Sequence, residues 1–312
     1  MQTKILIPVL SVLMLTGIYS ANPVKLHNIK TNNAAAVKDF MRYTPDRLPF
    51  ICAHRGGPRK GFPENCIETF ENTLAQTPAM LEIDPHYTKD GKIVLMHDPT
   101  LDRTSNGHGK IADFTLEELK KLRLKDTEGN LTDYHMPTLD EALQWAKGKT
   151  ILVIDAKDVP IEVRAQKIVE NNALGNAIVI AYSIEDIKKC YDHSKDVVME
   201  IMMGKPENIT ALDNSGVPWA NVIGFVSHDM PADKTIFSEV HKRGAMCILG
   251  SSRNIDKQFT TGKINADELK TGYLNLINHG ADVIEADLGI EAGTALKDLQ
   301  GAKSSKSKYF SK

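Results

Sequence analysis

The chain has 312 residues, 42% of them hydrophobic and 25% charged, with a formal charge of -2. That length and balance suit one large α/β domain or two smaller ones. The near-neutral charge excludes a nucleic-acid binder that works by bulk electrostatics, and leaves open small anionic substrates that need only a local positive site.

Met1 to Lys4 carries one positive charge, Ile5–Ile18 is an apolar run broken only by Pro8, Ser11, Thr16 and Gly17, and Ser20-Ala21 offers small residues for cleavage. The run is short for a membrane span, so it predicts a secretory signal peptide over residues 1–21, with an uncleaved anchor as the alternative. Residues 22–312 are then a single exported domain, periplasmic or secreted, with no stable membrane insertion. No cysteine follows the run, so lipid attachment at a new N-terminus is not indicated. The four cysteines (Cys52, Cys66, Cys190, Cys247) are too few for a disulfide scaffold, and free thiols are expected over a Cys52–Cys66 bridge.

Residues 22–48 are polar with no clear period and are expected to wrap the outside. Phe50–His54 reads as a first strand. Pro63 to about Thr77 has helical spacing at Ile67, Phe70 and Leu74, with Asn65 or Glu64 as its cap. Met80–Asp84 and Lys92–His97 read as the second and third strands. Pro85–Gly91 between them is too short for a crossover helix. Parallel, the two strands bring Glu82, Asp84 and His97 to one rim; as an antiparallel hairpin they are expected to place them at opposite ends. Pro99–Met136 reads as a small insertion after the third strand, with capping boxes at Thr115 and Thr138.

Beyond it the pattern alternates. Strands are expected at Ile151–Asp155, Ala177–Ala181, Val197–Met202, Asn221–Phe225, Ala245–Leu249 and Asp282–Asp287, with helices between, and continuous apolar runs indicate a parallel sheet buried on both faces. The expected fold is an α/β TIM (β/α)8 barrel. Nine strand candidates compete for eight places, and Asn221–Phe225 is the one set aside. The lysine- and serine-rich tail from Leu296 reads as a solvated end.

Glu82 and Asp84, at i and i+2 on a strand, project to one face and repel unless a cation lies between them. A hard divalent ion, Ca²⁺ or Mg²⁺, suits such oxygen ligands, and Asp155 at the end of the fourth strand can supply a third. The alternative is that these acids pair with Lys157 or Arg55. His54 and His97 each end an apolar run, and a pair of imidazoles can divide acid and base duties near neutral pH. Arg55 and Lys157 are fixed cations able to hold a phosphate, and Gly56-Gly57 allows close backbone approach. The other histidines read as surface or capping residues.

Taken together, His54-Arg55-Gly56, Pro63-Glu64-Asn65, Glu82-x-Asp84, Lys89-Asp90-Gly91, His97-Asp98, Leu101-x-Arg103-Thr104, Gly107-x-Gly109 and Pro137-Thr138-Leu139-x-Glu141 resemble the glycerophosphodiester phosphodiesterase family over about residues 50–157. The resemblance implies a barrel related to that of phosphoinositide phospholipases C, and metal-dependent hydrolysis of a small-molecule glycerophosphodiester to glycerol 3-phosphate and an alcohol. By motif it implies His54 and His97 as the acid/base pair, Glu82 and Asp84 as metal ligands, and Arg55 and Lys157 at the phosphate. Attack by the glycerol 2-hydroxyl to give a cyclic phosphate is the expected course, with direct water attack as the alternative.

The sequence also departs from the family pattern. Asp155-Ala156-Lys157 stands where the family usually has Glu-x-Lys, Cys66 replaces a usual threonine, and the Trp-Thr signature is missing from Ala245–Ser251. Glu285-Ala286-Asp287-Leu288-Gly289 replaces a Thr-Asp-x-Pro pattern. Two other readings keep the barrel: a different diester, such as a lysophospholipid or sphingolipid, and a weakly catalytic barrel that binds polyol phosphates. A metal hydrolase of the amidohydrolase type would need His-x-His on strand 1, where Arg55-Gly56 follows His54.

Overall fold

A computed structural model describes residues 25–231, 233–301 and 303–311. The expected signal peptide therefore lies outside the described residues. In chain order the strands are β1 (Asn28–Ile29), β2 (Phe50–Ala53), β3 (Ala79–Ile83), β4 (Pro85–Tyr87), β5 (Ile93–Leu95), β6 (Leu152–Ile154), β7 (Ala177–Ala181), β8 (Met199–Met202), β9 (Val222–Ser227), β10 (Cys247–Gly250), β11 (Val283–Ala286) and β12 (Phe310–Ser311). Eight of these close a parallel barrel in the order β2-β3-β6-β7-β8-β9-β10-β11, with β11 pairing back onto β2.

The expected TIM barrel is therefore present, with two corrections to its strand count. Asn221–Phe225, set aside in the sequence reading, is barrel strand β9, paired with β8 and β10. Lys92–His97 is not a barrel strand: β5 pairs antiparallel with β4, outside the barrel. The insertion thus leaves after the second barrel strand, not the third, and the hairpin is its first part. The outward excursion has its own small core of Cys66, Val94, Met96, Leu101, Ile111 and Leu119, which explains how a turn-rich segment holds its shape. Thr115 and Thr138 form the capping boxes expected of them.

Alternation along each barrel strand sorts the core into two. Side chains of one parity, such as Ile51, Leu81, Ile154 and Val179, pack under the surrounding helices. The other parity fills the barrel, with Phe50, Cys52, Met80, Val153, Ile178, Ile223 and Ile248. The lower mouth is stoppered by segments that read as peripheral. Helix Ala34–Met41 buries Val37, Phe40 and Met41, so the leading segment does more than wrap the outside. The tail is not a solvated end either. β12 pairs with β1, Tyr309 and Phe310 stand edge-on to Phe40 with ring centroids 5.3 and 5.7 Å away, and Lys306 is buried, its ammonium donating to the Asp39 carbonyl. All four cysteines are buried and free. Among the described residues no helix is long and apolar enough to cross a membrane.

Candidate active site

The upper mouth of the barrel opens into a cavity of about 500 Å³ whose walls include His54, Arg55, Glu82, His97, Asp155 and Lys157. Six of the seven residues expected to carry chemistry thus share one space. The seventh, Asp84, is buried against Lys157 at its edge.

β2 delivers His54 to the rim, and the chain then turns sharply. Arg55, Gly56 and Gly57 all have positive φ (52°, 84° and 83°). A side chain at Gly56 would have its Cβ only 2.3 Å from the Phe70 ring, so this turn requires glycine for space as well as conformation. The turn points the Arg55 amide at Glu82, which accepts at 2.8 Å.

Glu82, on β3, and Asp84, one residue past its end, are 3% and 0% exposed. Asp155 follows β6, and ligand atoms from these three acids lie within 4.8 Å of one another. The crowding has electrostatic consequences. Burial, then the charges of Asp84 and Asp155, drive the Glu82 carboxyl well above its usual range. Burial also opposes ionisation of Asp84, but Lys157 at 3.0 Å and the Asn65 amide at 2.6 Å outweigh it and hold that carboxyl low. Lys157 also pairs with Asp155 at 2.7 Å, and the Tyr182 hydroxyl donates to Asp155 at 2.5 Å. The alternative pairing of the acids with Lys157 is therefore real, but it does not reach Glu82, whose ion-pair partner is the His54 ring at 3.9 Å. A set of close, buried carboxylate oxygens, one of them ionised only at a cost, fits a hard divalent ion.

Asn65 is not the helix cap the sequence suggested. The helix Ile67–Gln76 starts at Cys66 without a side-chain cap. Asn65, with φ of 56°, instead clasps Asp84 with both ends of its amide, accepting from the Asp84 N–H at 2.9 Å. Glu64 takes Arg55 at 3.1 Å and Arg103 at 2.7 and 2.9 Å.

The hairpin was expected to separate His97 from the acids if antiparallel. It is antiparallel, yet His97 lies at the same rim. The expectation took β3 and the His97 strand as each other's partners. In the structure Asp84 is the corner between β3 and β4: the chain rises out of the barrel along β4 and returns along β5, so that the Met96 amide donates to the Asp84 carbonyl at 2.8 Å. His97 then comes next to the acids.

Each imidazole is held through Nδ1 by a carboxylate. His54 meets Asp287 at 2.6 Å and His97 meets Asp98 at 2.8 Å. For His54, burial lowers the pKa, but the Asp287 bond and the nearby Glu285 charge more than offset it, so the ring is more basic than usual. Asp98 is itself held by Arg103 at 2.7 and 2.9 Å.

Several cavity residues were not singled out. Glu200 on β8 and Glu285 on β11 are acids inside otherwise apolar strands, which is the signal that could have found them. His228, read as a surface residue, also lines the cavity, and burial, then Arg253 and His54, lower its pKa.

Comparisons with known proteins agree with this geometry. The sequence model of the glycerophosphoryl diester phosphodiesterase family matches residues 54–259. A crystal structure of a glycerophosphoryl diester phosphodiesterase from Parabacteroides distasonis superposes with a TM-score of 0.88 at 40% identity, covering 92% of this chain and 99% of that one. A glycerophosphodiester phosphodiesterase of Caldanaerobacter subterraneus subsp. tengcongensis is 36% identical over a match covering 46% of this chain and 64% of the relative. Glycerophosphodiester phosphodiesterase 1 of Homo sapiens is 38% identical over 31% of this chain and 30% of its own length. The matches to these curated relatives thus span less than two thirds of their length. A phosphodiesterase of Oleispira antarctica, 22% identical with a TM-score of 0.59, shares the fold. With two thirds of its length matched by the family model and the barrel closed as in the Parabacteroides structure, the chain belongs to the glycerophosphoryl diester phosphodiesterase family.

Proposed function

We propose that the protein is a metal-dependent phosphodiesterase that hydrolyses small glycerophosphodiesters to glycerol 3-phosphate and an alcohol. The observation that carries this is the convergence of Glu82, Asp84 and Asp155 within 4.8 Å of one another in a cavity that also holds two carboxylate-tethered histidines. Family membership supports the reaction class. The Oleispira antarctica protein was solved with the product sn-glycerol-3-phosphate.

In this reading Glu82, Asp84 and Asp155 hold Ca²⁺ or Mg²⁺. A bound ion of this kind supplies Lewis-acid polarisation of a phosphoryl oxygen and makes a nearby hydroxyl more acidic. Arg55 and Lys157 face the phosphate charge. Asp287 and Asp98 take the Nδ1 protons, which leaves each Nε2 for the substrate. One imidazole accepts the proton of the glycerol 2-hydroxyl as it attacks phosphorus, and the other returns a proton to the departing alcohol. Water then opens the cyclic phosphate, with the roles reversed. Direct attack by water on the diester uses the same groups. The apolar run at residues 5–18 supports an exported, periplasmic or secreted, location.

The test is release of glycerol 3-phosphate from glycerophosphocholine, glycerophosphoethanolamine and glycerophosphoinositol. His54→Ala and His97→Ala are each expected to lower kcat by about 10²–10⁴-fold while the ion still binds. Wild-type kcat from either variant would remove that histidine from the mechanism. No release from any diester would favour the polyol-phosphate-binding barrel or a different diester.

A further inference from the structure

The cavity extends past the metal and histidine cluster, across the barrel to a wall made by β7, β8 and β9, where Ile180, Met202 and Phe225 face it. Glu200 projects from β8 among these apolar groups. Register places it opposite Ile180 on β7 and Ile223 on β9, so it belongs to the inward-facing layer one step below the rim. Glu82 on β3 and Glu285 on β11 also line this cavity. Glu82 is absorbed by the proposed metal site. Glu200 is not. It is 2% exposed, it lines the cavity, and its Oε2 has no hydrogen-bond partner. Buried polar atoms are almost always paired, because leaving one without a partner forfeits its hydration with nothing in return. A buried carboxyl with an unpaired oxygen, on the wall of an open cavity, marks a place where a ligand supplies the donor.

The surroundings select that donor. Burial, then the charges of Glu285 and Asp155, push the Glu200 carboxyl well above its usual range, so the partner that lets it ionise there is a cation. Phe225 on the adjacent strand also lines the cavity, and aromatic rings attract positive charge. The oxygen also needs an N–H or O–H to accept. A primary ammonium satisfies both demands, with three donors and a positive charge. A trimethylated ammonium brings charge without a donor, and a polyol brings donors without charge. β8 lies two strands from β6, which is roughly 10 Å along the wall, a span that a phosphate carrying a two-carbon arm can bridge.

We propose that Glu200 is a specificity-determining residue that receives a primary ammonium on the alcohol half of the substrate, making aminoalcohol diesters of the ethanolamine kind the preferred class. This rests on the phosphodiesterase reading above and deepens it.

The experiment compares kcat/KM for glycerophosphoethanolamine and glycerophosphocholine in wild type, Glu200→Gln and Glu200→Leu, with the ion present. The expected wild-type ratio is about 10-fold or more in favour of the ethanolamine diester, falling towards 1 in Glu200→Leu and to an intermediate value in Glu200→Gln, which keeps the shape and loses the charge. A fold defect or a purely structural role lowers both substrates together and leaves the ratio unchanged. That result, or a wild-type ratio near 1, overturns the proposal. A second readout needs no turnover. Calorimetric binding of phosphoethanolamine to the ion-loaded protein is expected to exceed that of phosphocholine by a similar factor and to lose the margin in Glu200→Leu. Preferential binding without hydrolysis of any diester would fail the phosphodiesterase reading and leave the subsite standing. Equal binding of both probes would fail the subsite. Binding of a second equivalent of ion, lost in Glu200→Leu, would assign the acid to a cation and also overturn the proposal.

Discussion

The site depends on a few residues that hold others in place. Asp287 is the clearest. Its carboxylate is partly exposed, at 48% of the side chain, yet its 2.6 Å contact fixes the orientation of His54. Burial works against its ionisation, and the His54 bond and charge more than compensate, holding the carboxyl low. Asp287→Asn keeps the size and removes the charge that selects the His54 tautomer. We predict a fall in kcat of about 10²-fold or more with KM changed far less, measured by initial rates at saturating diester. Unchanged kcat would mean that His54 is positioned by something else. The sequence made His54 and His97 legible, with Asp98 beside His97, and hid the partner of His54. His54, His97, Glu82 and Asp84 announce themselves as charged residues on apolar runs. Asp287 comes from the opposite end of the chain, and only closure of β11 onto β2 brings it to His54. Glu200 was hidden for a related reason: which parity of a barrel strand faces inward is decided by its neighbours' register, and a single strand does not state it.

At the scale of elements, the β4–β5 hairpin and the segment that follows it act as a bracket for His97. Arg103 is its keystone, a bidentate donor to both Glu64 and Asp98, and Asp98 in turn holds the imidazole. Planar fork geometry is what lets one side chain join two carboxylates, and a lysine cannot reproduce it. Arg103→Ala is predicted to lower kcat about 10-fold or more while metal affinity holds, with Arg103→Lys restoring little. Differential scanning calorimetry beside the rate assay separates this from unfolding, and a parallel loss of metal binding would contradict a role confined to His97. Capping boxes, helices and most strands could be read from local pattern, because each is decided within a few residues. The hairpin could not. Ile93–Leu95 is as apolar as a barrel strand, but it pairs with β4 outside the barrel, with Val94 in the insertion's own core and Ile93 and Leu95 in the main core, and a short apolar run looks the same in either setting.

The whole molecule is a barrel with its chemistry above and its two terminal segments sealing it below. That lower seal is where sequence reasoning erred most. Polar residues dominate both segments by number, while a handful of large apolar groups (Phe40, Met41, Tyr309, Phe310) determine where they go. Asp39 joins the two, accepting from the Tyr309 hydroxyl at 2.7 Å, Arg42 at 2.8 Å and Lys308 at 2.9 Å. The Tyr309 bond, then Arg42 and Lys308, hold its carboxyl well below the usual range. Because the folded pKa lies below the unfolded one, the stabilisation is complete above the ordinary carboxylate value and is lost as pH falls through the folded value, below about pH 4. Asp39→Asn is predicted to cost about 1 kcal/mol at neutral pH, a figure kept small by solvent screening, and to flatten the acid limb of stability measured by urea unfolding. An acid limb identical to wild type would show that the seal does not depend on this charge. At the upper end, the central claim is that Glu82, Asp84 and Asp155 hold the ion that diester hydrolysis requires. It is tested most directly by removing divalent ions with chelator, adding back Ca²⁺ or Mg²⁺, and following glycerol 3-phosphate release by wild type and Glu82→Ala. The account predicts loss of release on chelation, recovery on add-back in wild type, and no recovery in Glu82→Ala. Release that persists in chelator, or a Glu82→Ala protein that recovers with wild-type metal dependence, would contradict it.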